Sequence, residues 1–281
     1  MQKPDPVIVL SLFQPERAAL LDLLRSLDDA AWHTATVCPG WSVKDIIAHL
    51  LADDLGLLSR QRDQHSTLPP QFQDIDWDDW QQLLAFINWQ NNLWVEATRR
   101  LSPRILTELL EKSGADIYAH FASLDPFAIG GPVSWAGPQP APVWLDLARE
   151  YTERWLHQQQ IRDAVEIHGL KEPRYLTPVL ATFVRALPYT YGHVTAKPGT
   201  NVTLEISGPA GSVWSILLEN DGWQLYSGCP DAPDAQITLD QETAWRLFTK
   251  GITPEEGHSK ATISGEESLC LPVFEMVSII A

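Results

Sequence analysis

Cysteine is scarce in this 281-residue sequence, and its three copies lie far apart in the chain. Cys38, Cys229 and Cys270 are too few and too scattered for a disulfide framework or a four-cysteine zinc site. Sparse cysteine is typical of proteins from a reducing compartment. The N-terminal segment also lacks the features of a secretory signal peptide, so we expect a cytoplasmic protein.

Long apolar runs and an excess of positive charge are missing as well. No stretch reaches the roughly 18 apolar residues of a membrane-spanning helix, so no span is expected. Asp and Glu number 36 against 20 Lys and Arg, which gives a net charge of −16 at pH 7. Nucleic acids and anionic membranes attract basic surfaces, so neither is expected as the main partner. The oligomeric state is not predicted.

Most short motifs that identify common enzymes are also absent. The sequence contains no glycine-rich dinucleotide loop, no Walker loop and no G-x-S-x-G nucleophile motif. It has no H-E-x-x-H zinc motif and no EF-hand loop either. The common cofactor-dependent and hydrolase functions are therefore disfavoured at the outset.

Apolar residues recur at helical spacing through the first 170 residues. Ser42 followed by Asp45 is a capping-box pattern, and Ser102 before Pro103 is typical of another helix start. The predicted helices cover residues 16–27, 42–58, 77–101, 102–121 and 142–167, with loops over 61–73 and 123–142. Their apolar stripes, which include Leu55 and Leu93, are expected to build the core. Long helices joined by such loops predict a four-helix bundle.

After about residue 195 the pattern changes to the apolar–polar alternation of strands. Strands are predicted over 202–206, 213–217, 223–225, 237–239 and 261–264, with a hairpin turn at Asp221-Gly222. Helices are predicted over 177–191, 240–248 and 269–280. The fold class is therefore α+β. We expect a helical bundle over residues 1–170, a connector helix over 171–194 and a smaller α+β domain over 195–281.

Two of the eight histidines, His49 and His157, lie inside predicted core helices. Glu153 precedes His157 by four residues, so the two side chains share one helix face. A carboxylate and an imidazole at this spacing suit a metal ion, but chance alone gives about half of one such pair in a chain of this composition. Taken alone, the pair is more simply interpreted as an ordinary charge pair.

Two segments of the sequence resemble a known family. CPGWSVKDIIAHL, residues 38–50, resembles the N-terminal signature of the mycothiol-dependent maleylpyruvate isomerase family, a branch of the DinB-like metal-binding four-helix bundles. REYTERWLHQQQIRDAV, residues 149–165, resembles the second metal motif of that family. The final hundred residues resemble the sterol-carrier-protein-type domain that commonly follows. The resemblance thus covers nearly the whole chain.

This resemblance implies a divalent metal, usually zinc, held by His49, Glu153 and His157. Two neutral imidazoles and a carboxylate suit such an ion, and three protein ligands leave a position open for an exogenous ligand. Asp45 and Asp53 lie four residues before and four residues after His49. Each either orients the imidazole or has a solvated or structural role. In the family the metal activates a low-molecular-weight thiol, so a mycothiol-like cosubstrate is implied.

The implied reaction is thiol transfer to a small electrophile, or its cis–trans isomerisation. A dicarboxylate substrate needs a nearby cation, and Arg149 is the candidate catalytic residue because it lies one turn before Glu153. An ion pair between Arg149 and a neighbouring acid is the alternative role. Two other functions stay open, a non-enzymatic small-molecule or lipid-binding protein and a hydrolase whose metal activates water. The sequence does not separate thiol from water as the exogenous ligand.

Overall fold

The computed structural model describes residues 1–77 and 79–279. By packing, the chain divides into two compact units. The helical unit consists of Leu10–Asp125 and Glu153–Gly169, and the mixed unit consists of Met1–Val9, Pro126–Thr152 and Leu170–Ala281. The predicted α+β class is confirmed. The domain limits of 1–170, 171–194 and 195–281 stay a prediction, and residues 126–152 pack with the C-terminal residues.

Long helices make up the helical unit. They are α1 (Leu10–Ser26), α2 (Val43–Leu57), α3 (Trp80–Thr98), α4 (Pro103–Ala122) and the second part of α5 (Val143–Ala164). Short turns of 3-10 helix lie at Ala31–His33 and Pro70–Phe72, and a π-helical turn at Leu58–Arg62 extends α2. Helix α4 packs against α1 and α2, and α2 also packs against α3. Their buried apolar residues form one core, which includes Leu20, Ile46, Leu50, Leu106, Leu110 and Ile161.

Side-chain caps fix the starts of α2 and α4 where the sequence predicts them. The Ser42 hydroxyl accepts from the Asp45 amide, and the Asp45 carboxylate accepts from the Ser42 amide. The Ser102 hydroxyl accepts from the Ile105 amide at 3.3 Å, and Pro103 takes the first helical position. Both helix starts are thereby confirmed. Each cap satisfies backbone N–H groups that a helix start otherwise leaves unpaired.

The prediction that Leu93 of α3 and Leu55 of α2 are buried in the core is wrong. Helix α3 exists, but its buried residues are Val95 and Thr98, while Leu93 is 56% exposed. Asp78, which falls inside the predicted range of this helix, lies outside the described residues. Leu55 of α2 is 43% exposed, because the neighbouring Asp54 takes the buried position. One face of α3 is therefore left open to solvent.

The mixed unit is built around a five-stranded sheet. Its elements are β1 (Ile129–Pro132), β2 (Pro140–Pro142), the first part of α5, α6 (Pro173–Phe183), α7 (Leu187–Thr190), β3 (Asn201–Ser207), β4 (Val213–Glu219), β5 (Gly222–Ser227), β6 (Ala235–Asp240), α8 (Gln241–Phe248), α9 (Pro254–Lys260), β7 (Thr262–Gly265) and α10 (Glu267–Phe274). The strand order is β5-β4-β3-β6-β7. Strands β3 and β6 are parallel, and the other neighbours are antiparallel.

The predicted strands and the hairpin turn are confirmed. Gly222 pairs with Glu219 across the turn and has φ +106°, a left-handed value that favours glycine. Asp240 caps α8 by accepting from the amides of the second and third helical residues. The sequence interpretation missed the β1–β2 hairpin and helix α9, whose Thr253–Glu256 capping box is a readable signal.

The last predicted helix, 269–280, is shorter than expected in the structure. Helix α10 ends at Phe274, and residue 280 lies outside the described part of the chain. Among the helices that the structure describes, none has both the length and the apolar character to cross a membrane.

Candidate active site

His49 is positioned by the turn and the helix start that precede it. Gly40, in the turn before α2, has φ +77°, a conformation that residues with a side chain rarely adopt. At the helix start, Arg99 Nε donates to Asp45 Oδ1 at 3.1 Å and so braces the capping carboxylate. His49 follows two turns into α2, and its side chain is buried. Residues 38–50 therefore fix the start of α2 and also supply the histidine.

A buried ion-pair network ties α5 to the helices around it. Asp54 is fully buried on α2, and its Oδ1 accepts from Arg154 Nη2 of α5 at 2.9 Å. Arg17 of α1 donates to both oxygens of Asp54, at 2.9 and 3.1 Å, and the Ser113 hydroxyl of α4 donates at 2.6 Å. Burial alone would raise the pKa of Asp54, but the guanidiniums of Arg17 and Arg154 hold it below its usual range. Four helices are thus joined at one carboxylate.

The three predicted site residues come together within the helical unit. His49 Nε2 lies 3.1 Å from His157 Nε2, so the two imidazoles face each other through the same nitrogen. Glu153 Oε2 lies 3.7 Å from His157 Nε2 on the same face of α5. Residues separated by about a hundred positions in the sequence therefore form one cluster of donor atoms.

The two aspartates that flank His49 have different roles in the structure. Asp53 Oδ2 lies 3.2 Å from His49 Nε2 and joins the cluster. Asp45 instead caps α2 and pairs with Arg99, away from the imidazole. Of the alternatives left open by the sequence, Asp53 thus contacts the imidazole and Asp45 has the structural role.

Both histidines are neutral at pH 7. Burial lowers the pKa of His49 to about 4, and the Asn91 side chain of α3 partly opposes this shift. Burial also lowers the pKa of His157 to about 4, with a further contribution from the facing His49. A neutral imidazole keeps one nitrogen lone pair, which is the form that binds a metal ion.

Gln160 determines which nitrogen of His157 carries the proton. Its Oε1 lies 2.8 Å from His157 Nδ1, and an amide oxygen can only accept. Nδ1 is therefore protonated, and the lone pair of Nε2 points toward His49. The Cys38 thiol donates to the same oxygen at 3.3 Å. In contrast, His49 Nδ1 is buried with no hydrogen-bond partner among the described residues.

Gln160 was missed by the sequence interpretation. Gln160 follows His157 by three residues, so helical spacing alone would have placed it on the same face. Asn91 lies on α3 and His49 on α2, and the contact between these two helices forms only in the tertiary fold. No local sequence signal therefore pairs Asn91 with His49.

As they stand, these side chains do not complete a metal site. Within residues 1–77 and 79–279, no group of three or more His, Cys, Asp or Glu side chains is already arranged to hold an ion. In the cluster around His49 and His157, the Glu153 carboxylate lies farther from its neighbouring nitrogen than the Asp53 carboxylate does. The metal site therefore stays a prediction.

Arg149 is engaged by two acids of its own helix. Its Nε and Nη2 donate to Asp146 Oδ1 at 3.0 and 2.7 Å, and Nη2 also pairs with Glu150. These contacts correspond to the ion-pair role that the sequence analysis gave as the alternative. Arg149 belongs to the mixed unit, whereas the histidine cluster belongs to the helical unit. Its role toward a substrate stays a prediction.

Comparison with known proteins identifies the family. The model of the mycothiol maleylpyruvate isomerase N-terminal domain matches residues 13–162, more than half of the chain. The chain therefore belongs to this family, and the predicted resemblance is confirmed. The prediction that the protein is an enzyme, of the isomerase or thiol-transfer type, is confirmed with it. No curated protein sequence matches the chain significantly.

Solved structures give the same fold. Two crystal structures of the mycothiol-dependent maleylpyruvate isomerase, one of them a histidine-to-alanine mutant, superpose with TM-scores of 0.53 and 0.52. They are 15% and 14% identical to this chain, and each match covers 92% of both chains. Identity this low supports the fold alone. A sterol carrier protein domain 2 of Helicoverpa armigera also matches, at 15% identity over 34% of this chain and 83% of its own, with a TM-score of 0.28.

Proposed function

We propose that this protein is a metal-dependent enzyme that uses a low-molecular-weight thiol of the mycothiol type. The thiol is transferred to a small electrophile, or it catalyses the cis–trans isomerisation of that electrophile. His49, Glu153 and His157 hold the metal, for which zinc is the expected ion. The family to which the chain belongs is mycothiol-dependent, which supports the thiol cosubstrate.

The observation that carries the proposal is the pair of facing imidazole nitrogens with carboxylates beside them. Donor atoms on a tetrahedral zinc ion, each at 2.0–2.2 Å, lie about 3.3–3.6 Å from one another. The separations in the cluster, 3.1 Å between the two Nε2 atoms and 3.7 Å from His157 to Glu153, bracket that range. The neutral state of both histidines at pH 7 and the Nδ1–Gln160 hydrogen bond also suit metal ligands.

Each side chain of the cluster has a distinct task in this proposal. When bound, the metal lowers the pKa of a coordinated thiol so that thiolate is present at neutral pH. Asp53 is about one-third exposed and lies beside His49, so it is placed to accept the thiol proton. Gln160 holds His157 in the tautomer whose Nε2 lone pair faces His49.

The proposed reaction conserves electrons and requires no oxidant. The thiolate sulfur adds to one carbon of a conjugated double bond, and the π electrons move to the carbonyl oxygen. Rotation about the new single bond follows. In isomerisation the electrons return, the C–S bond breaks and the thiolate leaves. In transfer the adduct takes up a proton, and the C–S bond remains.

Metal content and thiol dependence together test the proposal. Purified protein is expected to carry about one divalent ion per chain, measured by inductively coupled plasma mass spectrometry. His49→Ala and His157→Ala are each expected to lose that ion and the activity while keeping their far-ultraviolet circular dichroism. His120→Ala is the matched control, because His120 is also buried in the helical unit and its ring lies beside Gln61 instead.

The activity screen pairs electrophiles with mycothiol, bacillithiol, glutathione or no thiol. Turnover that needs one of the thiols supports the proposal. Metal-dependent turnover with water alone makes the protein a hydrolase and refutes the thiol step. A metal-free protein in which His157→Ala changes nothing refutes the metal centre, and the non-enzymatic binding function then becomes the better description.

A further inference from the structure

The turn before α2 places a cysteine thiol next to the histidine cluster. Backbone hydrogen bonds close this turn: the Trp41 amide donates to the Cys38 carbonyl, and the Thr36 amide donates to the Trp41 carbonyl, each at 3.0 Å. Pro39 takes the second position of the turn and Gly40, with φ +77°, the third, which is the residue pattern of a type II turn. The backbone position of Cys38 is therefore fixed by the turn itself.

The Cys38 thiol acts as a hydrogen-bond donor in this position. Burial raises the pKa of Cys38, so the sulfur keeps its proton at pH 7. Sγ lies 3.3 Å from Gln160 Oε1 on α5, and an amide oxygen can only accept. The neighbouring Thr36 hydroxyl gives its own proton to the Trp41 carbonyl at 2.9 Å, so it does not donate to the sulfur. The thiol proton is therefore directed at Gln160.

Gln160 Oε1 is the atom through which this turn reaches the histidine cluster. It accepts from His157 Nδ1 at 2.8 Å and from Cys38 Sγ at 3.3 Å. An amide oxygen carries two lone pairs, so these two donors use its whole acceptor capacity. The thiol thus contacts the same oxygen that sets the tautomer of His157.

The thiol favours one of the two orientations of the Gln160 amide. In the orientation of the structure, the amide oxygen faces both donors. A half-turn of the amide replaces the oxygen with an NH2 group, and His157 then has to move its proton from Nδ1 to Nε2. The same half-turn leaves the thiol facing a donor, toward which sulfur is only a weak acceptor. The S–H group therefore disfavours the flipped amide.

The position of the His157 proton determines which lone pair the imidazole offers to the cluster. With Nδ1 protonated, the Nε2 lone pair faces His49 Nε2, which lies 3.1 Å away. With Nε2 protonated, the cluster loses that lone pair. The affinity for an ion bound there falls in proportion to the fraction of molecules in the competent tautomer. A group that fixes the Gln160 amide thus acts on metal affinity without contacting the metal.

We propose that Cys38 is a positioning residue, whose thiol holds the Gln160 amide and, through it, the metal-binding tautomer of His157. The proposal rests on the proposed function, because it takes His157 to be a metal ligand. Cys38 acts here as a hydrogen-bond donor, and neither as a nucleophile nor as a ligand. The turn of residues 36–41 accordingly has a task besides starting α2.

Three substitutions separate the hydrogen bond from the volume of the side chain. Cys38→Val fills the space of the sulfur and cannot donate, and Cys38→Ala is a second, smaller non-donor. Cys38→Ser keeps a donor, so it is the rescue variant. Cys229→Val is the matched control, because Cys229 is an exposed cysteine of the mixed unit. All four are made in the full-length protein, with circular dichroism as the check of folding.

Zn²⁺ affinity, measured with a competing chelator, is the first readout. Partners that contact a metal-binding histidine directly are worth about 10–100-fold in affinity, and Cys38 acts one hydrogen bond farther away. Cys38→Val and Cys38→Ala are therefore expected to weaken Zn²⁺ binding about three- to tenfold. Cys38→Ser and Cys229→Val are expected to stay within about twofold of wild type.

The nitrogen-15 shifts of His157, recorded before Zn²⁺ is added, are the second readout and report the tautomer directly. Wild type and Cys38→Ser are expected to show Nδ1 protonated and Nε2 bare. In the two non-donor variants, the fraction with Nδ1 protonated is expected to fall to between about one-tenth and one-third, which is the fraction that a three- to tenfold loss of affinity requires.

Two results overturn the proposal. One is an unchanged tautomer and unchanged Zn²⁺ affinity in both Cys38→Val and Cys38→Ala. The other is an equal loss in Cys38→Ser, which assigns the effect to the sulfur itself instead of the donated hydrogen bond. The proposed function fails separately: if wild type binds no Zn²⁺ or needs no thiol for turnover, that function is wrong, and the tautomer comparison still decides whether Cys38 positions His157.

Discussion

The ion-pair network at Asp54 yields a sharp prediction about stability. Asp54→Asn keeps the shape of the side chain and removes its charge, which leaves two buried guanidiniums without their carboxylate. Arg17 and Arg154 both bond to Asp54 and are themselves buried. Breaking a buried pair in this way costs about 3–5 kcal/mol, because the partner charge stays in a low-dielectric environment.

The matched control is Ser113→Ala at the same carboxylate. Ser113 donates one hydrogen bond to Asp54 and carries no charge, so its loss is expected to cost about 1–2 kcal/mol. Urea unfolding followed by circular dichroism measures both values. Asp54→Asn is also expected to lower Tm by about 6–20 °C, at 2–4 °C per kcal/mol for a unit of this size. A cost for Asp54→Asn no larger than that of Ser113→Ala would refute the reasoning.

The cost should depend on pH with a definite sign. The folded pKa of Asp54 is below its unfolded value near 3.8, so its charge stabilises the fold fully above that unfolded value. The stabilisation is lost as the pH falls through the folded pKa. The difference in unfolding free energy between wild type and Asp54→Asn is therefore expected to shrink as the pH falls below about 4. A difference that grows toward acid pH would contradict this assignment.

Two further substitutions test the surroundings of the site. Gln160→Met removes the oxygen that orients His157 and is expected to weaken metal binding about 10–100-fold, measured with a competing chelator, whereas Gln160→Glu keeps an acceptor and should retain the metal. Equal affinity in Gln160→Met and wild type would show that the hydrogen bond is unimportant. Arg149→Met is expected to leave metal content unchanged and to raise KM for an anionic substrate by less than about tenfold, because Asp146 and Glu150 already neutralise the guanidinium. An increase well above tenfold would assign Arg149 to the substrate.

Much of the fold could be predicted because its signals are local. A helix start depends on residues three apart, so the caps at Ser42, Ser102 and Asp240 are readable in the sequence. The same holds for Glu153 and His157, whose spacing puts them on one helix face. His49 was reached through its sequence signature, and no periodicity could have paired it with a residue on another helix.

The buried network could not be predicted, because its partners are distant in sequence. Asp54 bonds to Arg17, Ser113 and Arg154, which lie 37, 59 and 100 positions away. An apolar pattern assigns the buried position to Leu55, since an isolated aspartate inside the core is costly. Only the tertiary fold supplies the arginines that reverse this preference.

The open face of α3 shows a second limit of periodicity. Apolar spacing identifies which side of a helix avoids water, but it does not say whether the protein itself covers that side. Leu93 satisfies the helical pattern and is still more than half exposed. An apolar stripe next to a candidate site is therefore as consistent with a ligand groove as with a core.

The network and the site are coupled through neighbouring residues. Asp53 and Asp54 are adjacent on α2, and Glu153 and Arg154 are adjacent on α5. Successive residues of a helix point about 100° apart, so on each helix one residue contacts the histidines and the next joins the network. The Arg154–Asp54 bond consequently constrains the register of the two helices that bring His49 to His157.

This coupling explains why a buried ion pair is placed here, although apolar packing would stabilise the fold as well. Apolar side chains tolerate small shifts between helices, whereas a charge-assisted hydrogen bond between a guanidinium and a carboxylate restricts both distance and direction. A donor cluster with separations near 3 Å needs that accuracy, since a shift of about 1 Å removes a ligand from reach. Asp54→Asn should therefore weaken metal binding as well as stability. A variant that loses stability and keeps full metal affinity would mean that the apolar core alone sets the register of α2 and α5.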